Sequence, residues 1–140
     1  MNIENLSFTE KNLHFKKGNY IFKEREENSG KMYFIDSGWV EIRKKVGDGE
    51  VILAILEPGN FFGELALITG NERNASAVAF TDCKLHSMNK ESFDANLLHS
   101  AKFMKTMLET LAFRLEETNV NLKRHLQRIS RLSKTFNITG

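Results

Sequence analysis

The sequence predicts a mainly β domain closed by C-terminal helices, an α+β chain. Residues 13–90 read as short β-branched or alternating runs cut by glycine and Asn/Asp clusters, the text of a sandwich or barrel. After Lys90 there is no glycine or proline before Gly140. Apolar residues there recur at alternating three- and four-residue steps, the period of one helix face.

Residues 1–12 are polar and leave room for a turn or two at most. Strand breaks fall at Lys17-Gly18-Asn19, Glu27-Asn28-Ser29-Gly30, Asp36-Ser37-Gly38, Gly47-Asp48-Gly49 and Pro58-Gly59-Asn60. Gly47-Asp48-Gly49, set between the runs 40–46 and 50–56, predicts a β-hairpin. Residues 92–98 and 102–132 are helical by composition. In the second stretch Met104, Leu108, Leu111, Leu115, Leu122, Ile129 and Leu132 form a seam, with Thr118 and His125 at its polar steps. A helix of roughly 30 residues is about 45 Å long. It outruns a domain of this size, and its seam calls for a second copy. A homodimer through Leu108, Leu111, Leu115, Thr118, Leu122, His125 and Ile129 is therefore expected. The organisation reads as a β domain over residues 1–92, C-terminal helices over 93–132, and a tail or hinge over 133–140.

Composition excludes several classes. An apolar fraction of 41% with 27% charged residues is that of a globular chain with a core of its own. A net charge of +2 argues neither for nor against nucleic acid, since a DNA-binding domain is marked by a concentrated basic face and not by its total charge. The basic residues near 123–134 read as a solvated helix face, with an acidic partner or nucleic acid as the alternative. Cys83 is the single cysteine, so no internal disulfide forms and a thiolate-held cluster is excluded. Without a leader pattern or a membrane-length apolar run, a cytoplasmic setting and no membrane contact are expected. His14, His86, His99 and His125 are scattered, each expected at the surface or in the seam, and no metal site is expected. No nucleophile–base pair or Walker loop occurs, so no catalysis and no resident cofactor are expected.

Chemistry gathers at Phe61-Phe62-Gly63-Glu64-Leu65-Ala66-Leu67-Ile68 and Arg73-Asn74-Ala75-Ser76-Ala77-Val78. A glycine and a carboxylate open a short apolar helix, and an arginine heads a strand of small and β-branched residues. The neighbours of Arg73 read inward, and a buried, unpaired guanidinium costs on the order of several kcal/mol. Glu64 could pair with it, but the N–H groups of Gly63, Leu65 and Ala66 would then face nothing. A helix start with free N–H groups beside an arginine is an anion site, with phosphate its usual guest. Glu64, acceptor-only when ionised, suits the hydroxyls of a ribose. The site reads as one for a sugar bearing a phosphate.

This pattern resembles the phosphate-binding cassette, here residues 61–78, of the cyclic nucleotide-binding domain family, and most nearly its CRP/FNR-type receptor domains. The likeness covers about residues 15–126, including Gly18 to Phe22 and a strand–glycine–strand hairpin over 32–42. It implies a jelly-roll-like β-roll, then a short helix and a long dimerisation helix. It also implies cAMP, with cGMP second, as ligand. By the resemblance Glu64 holds the ribose 2′-hydroxyl and Arg73 the cyclic phosphate. The amides of residues 63–66 (Gly63, Glu64, Leu65, Ala66) and of Asn74, with Ala75 beside it, complete the phosphate cradle. Ile42 and Leu53 would line the purine pocket. Thr118, and Asn119 from the second subunit, would meet the adenine edge; the other reading of that polar pair is coiled-coil register. Asn74 departs from the small residue usual at its position. Four readings stay open: a standalone regulatory subunit, the receptor part of a longer transcription factor, a dimeric module of this fold that binds no nucleotide, or a receptor of this fold for another small anion. DNA contact is expected only if a further C-terminal domain exists.

Overall fold

The computed structural model describes residues 3–27 and 30–136. Eight strands and three helices are found among them: β1 (Glu10–Phe15), β2 (Tyr20–Phe22), β3 (Lys31–Ser37), β4 (Val40–Val46), β5 (Gly49–Leu56), β6 (Phe61–Phe62), α1 (Glu64–Thr69), β7 (Ser76–Ala79), β8 (Cys83–Asn89), α2 (Lys90–His99) and α3 (Ala101–Phe136). Mainly antiparallel strands followed by a long helix are the fold class that the strand and seam patterns predict.

The strands form two four-stranded sheets, ordered β1-β8-β3-β6 and β2-β7-β4-β5. Apolar side chains on the facing sides of the sheets make the core. Tyr33, Ile35, Phe62 and Leu85 come from the first sheet, Val40, Ala77 and Ala79 from the second. Burial of such residues supplies most of the driving force for folding.

The hairpin at Gly47-Asp48-Gly49 forms as expected, with Val46 opposite Gly49. The expected hairpin over 32–42 does not. β3 and β4 are consecutive in sequence but lie in different sheets, and Gly38 marks the crossing between them. Gly38 has φ +86°, and a Cβ there would stand 2.2 Å from the Asp82 carbonyl oxygen. The left-handed conformation and the close approach both require glycine. The strand–glycine–strand pattern is thus a corner, because two sheets are needed to bury the alternating apolar faces of both strands.

Two compact units result, residues 1–100 and 101–140. α2 falls in the first, although the sequence reading groups residues 93–98 with the long helix. Asn89 caps α2 by accepting a hydrogen bond from the Ser92 N–H at 2.9 Å. Asn96 binds the N-terminal segment to α2: its Oδ1 accepts from Ser7 N–H and its Nδ2 donates to the Ser7 carbonyl, both at 2.8 Å.

α3 is the second unit. Leu108 and Leu115 are 63% and 62% exposed, and Leu122 and Ile129 are exposed as well. Leu111 is half-buried and His125 exposed. Residues 133–136 continue α3, while 137–140 and the side chain of Leu132 lie outside the described residues. No helix among the described residues is long and apolar enough to cross a membrane.

Candidate functional site

β6 delivers the chain to Gly63, which precedes α1 with φ +80°. A Cβ at Gly63 would lie 2.9 Å from Nη1 of Arg73 and 3.3 Å from the Phe22 ring. Glycine here both permits the backbone turn and leaves space for the guanidinium. Glu64, the first residue of α1, is 4% exposed, a rare state for a carboxylate.

Arg73 is 2% exposed. Its Nη1 donates to the Gly63 carbonyl at 2.9 Å and its Nη2 to the Lys31 carbonyl at 2.6 Å. The guanidinium lies over the Phe22 ring, 4.0 Å from its centroid. The main chain is fixed too: Arg73 N–H donates to the Glu26 carbonyl, and the Arg73 carbonyl accepts from Arg25 N–H at 2.7 Å. Arg73 therefore has a scaffold role that its sequence context does not show, joining the start of α1 to β3 and β2. Among the described residues it forms no ion pair. Burial lowers its pKa, opposed only in part by Tyr33 and by the carboxylates of Glu26 and Glu64. Among the described residues two of its five N–H donors meet protein acceptors, which leaves donors for a ligand.

A cleft of about 850 Å³ opens beside Arg73 and Asn74, walled by Glu24, Arg25, Lys44, Lys45, Gly47, Asn71 and Glu72 as well. Four cations and two carboxylates give it a positive balance. Of the residues expected at the site, Arg73 and Asn74 line this cleft, and Gly63 adjoins it through Arg73. Glu64, Leu65, Ala66 and Ala75 are not in its wall; Leu65 is 51% exposed, while Ala66 and Ala75 are buried. Nor do Ile42 and Leu53 line it. Ile42 packs against the core cluster. Leu53 falls where the β4–β5 register shifts, opposite no β4 residue, and is 57% exposed.

Lys44, Phe22 and Lys31 are site residues that sequence reasoning missed. Lys44 had a signal: it follows Val40 and Ile42 at every second position, where another core-facing apolar residue is due. Lys31 acts through its carbonyl, for which no residue type is diagnostic.

Thr118 and Asn119 lie on α3, in the second unit, and both are exposed. The Thr118 hydroxyl donates to the Arg114 carbonyl at 2.9 Å. Asn119 borders a shallow groove of about 470 Å³ along the helix, with Leu122, Lys123, Leu126, Gln127 and Ser130. His86 corrects its expectation of a surface position. It is buried, with its ring 5.0 Å from Phe8 and stacked on Phe34, and its Nδ1 accepts a hydrogen bond from Asn12 N–H. An aromatic pocket shelters it, and strand alternation in β8 leaves no sign of that pocket. No cluster of His, Cys, Asp or Glu suited to a metal occurs among the described residues.

Residues 12–100 match the sequence profile of the cyclic nucleotide-binding domain. A CRP-like cAMP-activated global transcriptional regulator of Mycobacterium tuberculosis is 33% identical over 109 residues, 77% of this chain and 48% of that protein. The human potassium/sodium hyperpolarization-activated cyclic nucleotide-gated channel 4 is 38% identical over 98 residues, 70% of this chain and 8% of the channel. The crystal structure of the Thermus thermophilus catabolite activator protein superposes with a TM-score of 0.74 at 30% identity, covering 81% of this chain and 54% of that one. The chain thus spans about half the length of the CRP-like regulators it matches.

Proposed function

The chain belongs to the cyclic nucleotide-binding domain family, and we propose that it binds a purine 3′,5′-cyclic monophosphate, cAMP ahead of cGMP, and dimerises through α3. One observation carries the ligand reading: Arg73 is a buried cation without an ion-pair partner among the described residues. Such a charge is costly until an anion joins it. A cyclic phosphate is a monoanion whose exocyclic oxygens suit the donors that remain on the guanidinium. The Mycobacterium regulator and the channel, both named for cyclic nucleotides, support the same ligand class.

In this reading Arg73 takes the phosphate, helped by the backbone N–H groups of residues 63–66 and of Asn74, next to Ala75. Glu64 accepts from the ribose 2′-hydroxyl. Ile42 and Leu53 border the purine, Thr118 meets its edge, and Asn119 reaches the base held by the other subunit. Ligand capture draws the cassette inward and biases the position of α3, a population shift that carries the signal. Reciprocity follows: ligand and dimer must strengthen or weaken each other to the same degree.

The carbonyl bonds of Arg73 favour a second reading, in which the guanidinium is scaffold and the domain is a dimeric module without nucleotide. Calorimetric titration with cAMP and cGMP separates the two. Saturable binding of either nucleotide supports the receptor. Heat from neither supports the module.

A further inference from the structure

Lys44 is placed where scaffold needs alone do not put a lysine. It follows Val40 and Ile42 at every second position of β4, where β4 runs out to solvent, and carries an ammonium. Its Nζ donates to Glu24 Oε1 at 3.1 Å and to the Asn74 carbonyl at 2.7 Å. Glu24 is held as well, since its N–H donates to Ser76 Oγ at 2.8 Å and its side chain is only 7% exposed. The Lys44 side chain is 47% exposed, and an ion pair this open adds little to stability. An ammonium has three N–H donors, and two are used. Lys44 shares the wall of the cleft with Arg73 and is bonded to the residue that follows it.

We infer that Lys44 is the second cationic contact of the ligand site, donating its remaining N–H to an oxygen of the bound phosphate, with Glu24 as the counter-charge that limits its pull. The inference deepens the cyclic nucleotide reading and rests on it. Two cations of different geometry would then hold one anionic group: the guanidinium buried, the ammonium half-exposed. Glu24 keeps Lys44 from over-binding anions when the site is empty, so the pair sets affinity as well as charge selectivity.

The two members of the pair make opposite predictions. The whole chain is titrated with cAMP and cGMP as parent, Lys44→Met, Lys44→Arg and Glu24→Gln, at low and high potassium chloride. Lys44→Met should weaken binding by about five- to tenfold, the loss of one charge-assisted hydrogen bond. It should also make binding less sensitive to salt. Lys44→Arg should stay near the parent. Glu24→Gln should tighten binding, because it frees the ammonium. If Lys44→Met and Glu24→Gln both weaken binding, the pair is a brace for the cassette and the inference is overturned. Unchanged binding in Lys44→Met overturns it too. In either case a parent that binds leaves the receptor reading intact. A parent that binds neither nucleotide overturns that reading and this inference with it.

Discussion

The core of the roll and the greater part of α3 treat their apolar residues in opposite ways, although Phe103 and Met107 near the start of α3 are buried. In the roll, Ile35, Val40 and Leu85 are 0% exposed. Along α3, Leu108, Leu115, Leu122 and Leu126 are each more than half exposed. The roll closes on itself, since each sheet buries the apolar face of the other. A lone amphipathic helix has no such recourse, and long helices in water draw most of their stability from packing. The contrast separates a roll that buries its own apolar faces from a helix whose seam is exposed. Inside the roll Arg73 is a buried charge that forms no ion pair among the described residues.

The largest expected effect breaks the helix side of this contrast. Leu115→Lys with Leu122→Lys places like charges across the dimer axis, which a buried seam does not tolerate. Sedimentation should show monomers, with the roll still folded by circular dichroism. A dimer of unchanged affinity would mean that another surface pairs the chains. Gly63→Ala tests how tightly the roll is closed. The added Cβ meets Arg73 at 2.9 Å and must adopt φ +80°. A stability loss of about 1–2 kcal/mol is expected from the backbone alone, read as a lower denaturation midpoint together with weaker nucleotide binding. A midpoint equal to the parent's would show that the corner has room to spare.

Glu64→Gln should cost about 0.5–1.5 kcal/mol of binding, the worth of one hydroxyl contact. The parent should discriminate against a 2′-deoxy cyclic nucleotide, and the variant should hardly do so. Equal discrimination in both proteins would remove Glu64 from the ribose. The smallest effect concerns His86. Burial lowers its pKa below the ordinary 6.5, opposed by Asp36 and assisted by Lys84 and Lys11. The neutral ring accepts the Asn12 N–H, so its contribution is whole above the unfolded pKa and lost as pH falls through the folded one. Thermal melts from about pH 7 down to about pH 5 should show the parent losing more stability than His86→Gln. Parallel losses would mean that carboxylates alone govern the acid side.

The fold was legible because its signals are local. Glycine clusters marked the strand ends, and a glycine-free, three-and-four pattern marked α3. Which sheet a strand joins is not local, and residues 32–42 passed for a hairpin when Gly38 turns a corner between sheets. The pairing of Gly63 with Arg73 was legible because the two stand ten residues apart in a recognisable run, and they touch in the fold. The scaffold duty of Arg73 was not, since its partners are carbonyl oxygens that every residue carries. Lys44 and Leu53 show the limits of strand alternation: both fall where alternation calls for a core residue, yet Lys44 is an exposed charge and Leu53 lies at a register shift and is exposed.

The central claim is that the buried cation of the roll awaits a phosphate, as the exposed seam awaits a second helix. Calorimetric titration of cAMP into the parent, Arg73→Ala and Arg73→Lys tests it most directly. The account predicts that Arg73→Ala weakens binding by about tenfold or more, a loss of at least about 1.4 kcal/mol. Arg73→Lys should recover only part, because an ammonium cannot keep the carbonyl fork and serve the phosphate together. Parent-like affinity in both variants would contradict the account and leave Arg73 as scaffold alone.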